Sequence, residues 1–176
     1  EVDNQSEVQF RIITTNAPGS DEWVGIDDIS ITGSSMTQVI SIAEEIEDLN
    51  NDFVPDRLGD TVTVQGVVFS PNYQTSNNSY YISDGTAGTD IFMYGPPVLI
   101  WNTGDELNVT GVVTQYNGMT EILIADTTGW VLLSSGNPTP SPTVITLAQY
   151  KANPELYEGS LVGFVGLSKA SGTWPA

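Results

Sequence analysis

Cysteine and histidine are both absent from this 176-residue sequence. Without them the chain can form no disulfide, no zinc site of the Cys/His type, no thiol nucleophile and no Ser-His-Asp triad. Basic residues are also scarce, since only Arg11, Arg57, Lys151 and Lys169 stand against 22 Asp and Glu. We therefore predict that the chain is not an enzyme.

The net charge of −18 indicates which partners to expect. Proteins that bind nucleic acid neutralise phosphates with Lys and Arg, so the composition predicts no nucleic-acid partner. Membrane insertion is not expected either, because the longest apolar run, residues 96–101, is far shorter than the roughly 20 residues that span a bilayer. An acidic surface attracts cations, and calcium is the candidate cofactor; the alternative is that the charge serves solubility alone.

The rest of the composition favours an extracellular protein. Apolar residues make up 39% of the chain and charged residues 15%, while Ser, Thr, Asn and Gly supply most of the polarity. This balance is usual in secreted β-proteins. We expect a secreted, extracellular or cell-surface location, with any leader removed or outside this sequence.

Residues 60–134 carry the alternating pattern of β-strands separated by turns. The pattern predicts a β-meander with strands near residues 61–69, 80–82, 91–94, 107–113, 122–124 and 130–133. Gly66 and Gly111 lie inside two of these strands, where glycine marks a bulge or a sharp bend in a small barrel. Asn117-Gly118 is a type I′ hairpin signal. The fold class predicted from these features is all-β.

A single short helix is predicted before the first of these strands. Apolar residues recur at helical spacing between residues 37 and 50, with Thr37 as its cap. Glu45 belongs to the acidic side opposite the apolar residues. Acidic residues in the last two turns oppose the helix dipole, so the helix should be short.

Four segments follow from the composition along the chain. Residues 1–35 are predicted to form a β-hairpin, residues 36–136 a barrel and residues 137–143, with three prolines, a linker. Residues 144–176 repeat the order of the barrel's beginning, a short helix followed by a glycine-bent strand, and are expected to start a second copy.

Several motifs of the barrel resemble a known family. They are Ile42-Ala-Glu44, Thr61-Val-Thr-Val-Gln-Gly-Val-Val68, Tyr80-Tyr-Ile-Ser-Asp-Gly85, Ile91-Phe-Met-Tyr-Gly95, Gly104-Asp-Glu-Leu-Asn-Val-Thr-Gly-Val-Val113 and Tyr116-Asn-Gly-Met-Thr-Glu121. They resemble the OB-like modules of bacterial secreted proteins, which often lie beside endonuclease/exonuclease/phosphatase domains. The resemblance implies an OB-like small barrel with one short helix, followed by the start of a second OB-like repeat. It carries over no nuclease site, because the histidines of that site are absent.

The N-terminal segment resembles a different family. Val8-Gln-Phe-Arg11 and Asp21-Glu-Trp-Val-Gly-Ile-Asp-Asp-Ile29 are similar to the last two strands of choice-of-anchor and MAM-like jelly rolls. The predicted hairpin is therefore of jelly-roll type. In similar jelly rolls an Asp at this place helps to bind calcium, so Asp21, Asp27 and Asp28 are candidate metal ligands, with hydrogen bonding to the backbone as the alternative.

A second candidate metal site follows the predicted helix. Asp48, Asn50, Asp52 and Asp56 have the one-three-five-nine oxygen spacing of a calcium loop. The sixth and twelfth positions, which a calcium loop fills with Gly and Glu, hold Phe53 and Gly59. The alternative is therefore an acidic helix end followed by a solvated loop. Asp84 and Asp90 flank a glycine-rich turn, where stabilisation of the turn is favoured over a metal.

Aromatic residues of the barrel are candidates for ligand binding, because OB-folds stack bases or sugars on such rings. Tyr81, Tyr94 and Tyr116 are the predicted ligand-binding residues. Alternation places Tyr80 and Tyr81 on opposite faces of their strand, so at least one of them should belong to the core.

Three functions are consistent with these features. The first is a non-catalytic extracellular building block of a surface assembly or filament, held by self-association through β-strand pairing and by calcium. The second is a glycan-binding or spacer module of a larger secreted nuclease or surface protein. The third is a nucleic-acid-binding OB domain, against which the net charge argues.

Overall fold

The structure is a computed structural model that describes residues 38–168 and 170–172. The described residues belong to one unit, Met36–Ala176. The predicted N-terminal hairpin and its candidate ligands Asp21, Asp27 and Asp28 lie outside the described residues, so they stay predictions. Within the described part, no helix has the length and apolar character needed to cross a membrane.

Short strands and shorter helices make up this part of the chain. In chain order they are β1 (Val39–Ile40), α1 (Ile42–Glu45), β2 (Thr61–Val68), β3 (Asn78–Ser83), β4 (Gly88–Met93), β5 (Glu106–Tyr116), β6 (Met119–Leu123), β7 (Trp130–Ser134), β8 (Thr143–Ile145), α2 (Leu147–Ala152), a 3-10 helix (Glu155–Tyr157) and β9 (Val162–Phe164). The all-β fold class predicted from the alternating pattern is confirmed.

Five of these strands close into a barrel in the order β2-β3-β4-β6-β5 and back to β2. Strand β2 pairs antiparallel with both β3 and β5. The closure depends on a parallel pair between β4 and β6, in which Asp90 lies opposite Glu121. The prediction of a β-meander is therefore wrong, because a meander would place β4 beside β5. Strand β5 lies between β4 and β6 in the sequence, so the two strands of this parallel pair are separated by 25 residues, 94–118.

Alternation along each strand fills the barrel with apolar side chains. The fully buried ones include Val64, Ile82, Ile91, Leu107, Val109 and Ile122. Tyr80 also points inward, where its hydroxyl donates to the Leu99 carbonyl at 2.7 Å and its ring packs 5.1 Å from that of Trp101. The prediction that Tyr80 and Tyr81 face opposite sides is confirmed, with Tyr80 in the core.

Helix α1 is shorter than the apolar pattern suggests, and it begins later. Ser41 is its N-cap and accepts a hydrogen bond from the Glu44 N–H. Thr37, the predicted cap, lies outside the described residues. Glu45 is fully buried, although the sequence placed it on the acidic solvent side, and Leu49 is exposed. The helix ends at Glu45, so the residues after it no longer follow the helical periodicity from which those positions were predicted.

The second half of the described chain repeats the opening of the first. Strands β8 and β9 pair in parallel with α2 between them, as β1 and β2 pair in parallel around α1. Thr146 caps α2 in a capping box with Gln149, at the place where Ser41 caps α1. The boundaries predicted for four segments stay predictions, but this order of elements is what the repeat in the sequence indicated.

Asn78 anchors the loop that follows β4. Its side-chain oxygen accepts hydrogen bonds from the Val98 and Leu99 N–H groups at 2.9 and 3.0 Å. Its amide nitrogen lies 3.3 to 3.4 Å from three carbonyl oxygens, those of Met93 at the end of β4 and of Gly95 and Pro96 in the loop. Since the side chain is fully buried, these bonds replace the contacts with solvent that its polar atoms lose on folding.

We predict that Asn78→Ala lowers the free energy of unfolding by about 2–4 kcal/mol, because each buried group left without a partner costs about 1–3 kcal/mol. Urea denaturation measures the change. Asn78→Asp is the matched comparison: it keeps the oxygen that accepts from Val98 and Leu99 but turns a second acceptor toward the three carbonyl oxygens, so it should be at least as destabilising at neutral pH. Equal unfolding midpoints for the Ala variant and the unsubstituted protein would contradict this account.

Candidate ligand-binding groove

A groove of about 740 Å³ lies on the outer face of β3, β4 and β6. It exists because side chains alternate along a strand. In β3, Tyr80 and Ile82 fill the core while Ser79 and Tyr81 point to the groove; in β4, Ile91 fills the core while its neighbours point outward. The aromatic residues that line the groove are Phe69, Tyr73, Tyr81, Phe92, Tyr94 and Tyr116.

The three tyrosines predicted to bind a ligand lie together in this groove. Tyr94 and Tyr116 are about two-thirds exposed, and so is Tyr73, which the sequence did not single out. Tyr81 is half-buried, and its ring lies 5.9 Å from that of Tyr73. Phe92 and Tyr94 pack edge to face at 5.0 Å. The groove therefore presents several aromatic rings to solvent; their role in binding stays a prediction.

The floor of the groove is acidic. Asp90 of β4 and Glu121 of β6 face each other across the parallel pair, and both are almost fully buried. The Ser79 hydroxyl lies 3.0 Å from both carboxyl oxygens of Asp90. The Thr114 hydroxyl donates to the Glu121 carboxylate at 3.1 Å.

Burial decides how these acids ionise. It raises the pKa of Asp90 to about 7, although the Ser79 hydroxyl opposes the shift and the Glu121 carboxylate adds to it. Burial also raises the pKa of Glu121, with the Thr114 hydroxyl opposing. The pKa of Tyr81 rises to about 12, first through burial and then through the nearby Asp90 carboxylate. The site therefore disfavours further negative charge.

One wall of the groove comes from the turn before β9. Gly159, Ser160 and Leu161 line it, although they are about forty residues beyond the barrel's last groove strand. Glu158 holds this turn against the barrel, since its carboxylate accepts a hydrogen bond from the Thr120 N–H. The backbones of Gly88 and Gly159 meet so closely that neither residue has room for a side chain.

The predicted calcium loop is occupied by its own backbone. Asp48 accepts hydrogen bonds from the Asp52 and Phe53 N–H groups, Asn50 from Asp52, and Asp56 from Leu49. Among the residues that the structure describes, no group of three acidic side chains is placed to hold a metal ion. Calcium binding at Asp48, Asn50, Asp52 and Asp56 stays a prediction, and the structure adds only that these oxygens already serve as turn acceptors.

Asp84 and Asp90, which the sequence grouped together at one turn, have different roles. The Asp84 carboxylate accepts from the Thr86 and Ala87 N–H groups in its own turn and from the Ile42 N–H at the start of α1. A turn-stabilising role is therefore confirmed for Asp84. Asp90 instead belongs to the groove floor. Its position could have been read from the alternation with Ile91, because a carboxylate one residue away from a core position faces outward.

The chain matches no protein family, and it matches no curated protein. Its fold is similar to solved OB-fold structures. A replication protein A heterotrimer bound to ssDNA is 21% identical, with a TM-score of 0.41 over 52% of this chain and 78% of that chain. The OBody AM1L10 bound to hen egg-white lysozyme is 20% identical, with a TM-score of 0.37 over 48% and 89%. The aspartyl tRNA synthetase of Entamoeba histolytica is 14% identical, with a TM-score of 0.43 over 68% and 27%.

The OB-like barrel expected from the motifs is confirmed by the closed strand order β2-β3-β4-β6-β5 of the described residues. The prediction of no nucleic-acid partner is corrected: one of the solved structures of similar fold is that of a replication protein A heterotrimer bound to ssDNA. The net charge of −18 is an average over the whole chain and does not by itself determine what one groove accepts.

Proposed function

We propose that the barrel is a non-catalytic carbohydrate-binding module of a secreted bacterial protein. The observation that carries the proposal is the groove, in which exposed aromatic rings stand beside buried carboxyl and hydroxyl groups. A sugar ring has an apolar face that packs on an aromatic ring and hydroxyls that bond to polar side chains. The groove offers both kinds of contact, with Tyr94 and Tyr116 as the rings and Asp90 and Ser79 as the polar pair.

Further polar groups in the groove support a sugar chain as the ligand. The side chains of Gln74 and Asn77 line the groove together with the aromatic rings. Amide and carboxyl groups can each accept hydrogen bonds from hydroxyls, and an amide can also donate. The volume of about 740 Å³ accommodates a few sugar units.

The absence of catalysis is part of the proposal. Glycoside hydrolysis uses one protonated and one ionised carboxyl group on either side of the bond that breaks. Asp90 and Glu121 instead lie side by side on adjacent strands, both buried on the same floor. Secretion is supported by the composition described above. A structural role in an extracellular assembly, with calcium, stays a prediction.

Binding of the full chain to an array of soluble glycans tests the proposal, with affinities for the best ligand measured by calorimetry. The double variant Tyr94→Ala/Tyr116→Ala should bind about five- to 150-fold more weakly, since each exposed ring contributes roughly 0.5–1.5 kcal/mol of contact energy. Phe53→Ala is the matched control, because Phe53 is also exposed but lies outside the groove.

Two results would contradict the proposal. One is binding of single-stranded DNA, titrated in parallel, with no binding of any glycan; this would identify the groove as a nucleic-acid site. The other is release of reducing ends from the bound glycan, which would show that the module is catalytic.

A further inference from the structure

We infer, on the basis of the carbohydrate-binding function proposed above, that the groove selects a sugar chain with free ammonium groups, an oligosaccharide of amino sugars. The inference depends on the place where aromatic rings and two buried carboxyl groups meet. A neutral sugar would satisfy the rings and some hydrogen bonds, but it would bring the two carboxyl groups no cation that favours their ionised forms.

The carboxyl groups of the floor lack donors. The single Ser79 hydroxyl is the side-chain donor within reach of both oxygens of Asp90, and a hydroxyl has one proton to donate. Glu121 receives one hydroxyl, from Thr114. Within residues 38–168, the ion pairs all involve Arg57, which belongs to the loop before β2, and no residue lining the groove is basic.

An ammonium group supplies what the floor lacks. It carries a positive charge and three N–H donors, so it can bond to Asp90 and Glu121 at once. Such charge-assisted bonds are strong where water is excluded, and Asp90 is only 2% exposed.

The rings of the groove add to the same preference. The faces of tyrosine and phenylalanine rings attract cations within about 6 Å. Tyr81 lies in β3 directly opposite Asp90 of β4, and Phe92 and Tyr94 follow Asp90 along the chain. A sugar that stacks on these rings therefore brings a ring substituent close to the carboxyl groups.

The release of a proton from Asp90 on binding would be a second sign that the ligand carries a cation. The groups that face Asp90 are Glu121 from β6 and Tyr81 from β3, with Glu158 of the wall beyond Tyr81. Burial and, after it, the Glu121 carboxylate disfavour the ionised form of Asp90, the Ser79 hydroxyl opposes them, and the pKa of Asp90 is raised to about 7. At about pH 6 the carboxyl group is therefore mostly protonated, and a bound ammonium should displace the proton. A neutral sugar should not.

Calorimetry with matched sugars tests the inference. Three β-1,4-linked tetramers differ only in the group on C2 of each unit: an ammonium group, a hydroxyl or an N-acetyl group. At about pH 6 and physiological ionic strength, the amino tetramer should bind at least about tenfold more tightly than the hydroxyl tetramer, as expected for one charge-assisted contact. Its binding enthalpy should vary with the ionisation enthalpy of the buffer, because protons are released.

Asp90→Asn should abolish both the preference and the proton release while it keeps the shape of the side chain. Glu47→Gln, an exposed substitution outside the groove, changes the net charge equally and should leave both unchanged. Glu121→Gln gives an independent variant if the first fails to fold, and it should reduce the preference.

The outcomes separate this inference from the proposed function. Equal affinity for the three tetramers would overturn the selection of ammonium groups and leave carbohydrate binding in place. If the preference for the amino tetramer survives Asp90→Asn but weakens in Glu47→Gln, the preference comes from the overall charge of the protein. That result would overturn the assignment of the preference to the groove. Failure of all three tetramers, when other glycans bind on the array, would overturn the inference alone; failure of every glycan would overturn both.

Discussion

Glu45→Gln is expected to make the protein more resistant to unfolding at neutral and alkaline pH and to remove much of the dependence of its stability on pH. Glu45 is fully buried at the end of α1, and its carboxyl oxygens have no hydrogen-bond partner of normal geometry among the described residues. Burial raises its pKa to about 8; the Thr89 hydroxyl beside it opposes the shift in part, and the Glu158 carboxylate adds to it.

The sign follows from proton binding in the two states. In the unfolded chain Glu45 loses its proton near pH 4.5, whereas in the folded protein it keeps the proton until about pH 8. Between these values the folded state holds more protons, so stability falls as the pH rises. Each unit of separation is about 1.4 kcal/mol, so Glu45 costs about 3 kcal/mol at neutral pH compared with pH 4.

Urea denaturation at several pH values between about 4 and 8.5 measures this effect. The free energy of unfolding of the unsubstituted protein should fall across the window, and that of Glu45→Gln should fall by about 4–5 kcal/mol less, of which about 3 kcal/mol is reached by neutral pH. Asp90, Glu121 and Glu158 have raised pKa values and should retain a smaller slope in the same direction. Glu47→Gln serves as the exposed control. Parallel curves for Glu45→Gln and the control would refute the assignment.

Gly111→Ala, which adds one methyl group inside β5, is expected to destabilise the barrel. This residue lies between β2 and β6, where β5 is paired on both sides. An added Cβ would stand 2.6 Å from the Leu123 carbonyl oxygen and 2.6 Å from the Ile122 side chain, so β6 would have to move away. Overpacking of this kind costs about 1–3 kcal/mol, which corresponds to a decrease in Tm of roughly 3–10 °C for a unit of this size.

Thermal unfolding followed by circular dichroism checks this value. Gly163→Ala in β9 is the matched control, because its added Cβ would meet the nearest atom, in Pro142, at an ordinary 3.6 Å. We expect its Tm to change by no more than a degree or two. If the two variants unfold at the same temperature, β5 and β6 do not approach as closely at Gly111 as described.

Local patterns in the sequence predicted the strands well. Alternation assigned Tyr80 and Tyr81 to opposite faces, and Asn117-Gly118 marked a hairpin whose two residues both have positive φ, 53° and 86°. These features depend on neighbours in the sequence, and periodicity reports on such neighbours directly. Gly111 was predicted to mark a bulge or a sharp bend, but β2 and β5 pair in unbroken register through it, and the close approach of Leu123 in β6 is what requires glycine there.

Contacts between segments that are distant in the chain were harder to predict from the sequence. The parallel pair of β4 with β6 depends on the long β5 crossing the barrel, and no local pattern specifies which strands become neighbours. The burial of Glu45 follows from how α1 packs on β4, not from its place among acidic residues. The same holds for the groove. Its tyrosines could be predicted from the local sequence, whereas the position of Asp90 beside Glu121 depends on the register between β4 and β6 in the closed barrel.

The turn at Gly159–Leu161 has a practical consequence for the choice of a truncated fragment of this protein. A fragment that ends in the proline-rich stretch would keep every strand of the barrel and should still fold. It would nevertheless lose a side of the groove and the carboxylate of Glu158, which holds the Thr120 N–H. Such a fragment would be a misleading substitute in binding assays, because a boundary that is right for folding would be wrong for recognition. The unit to express for those assays runs at least through β9.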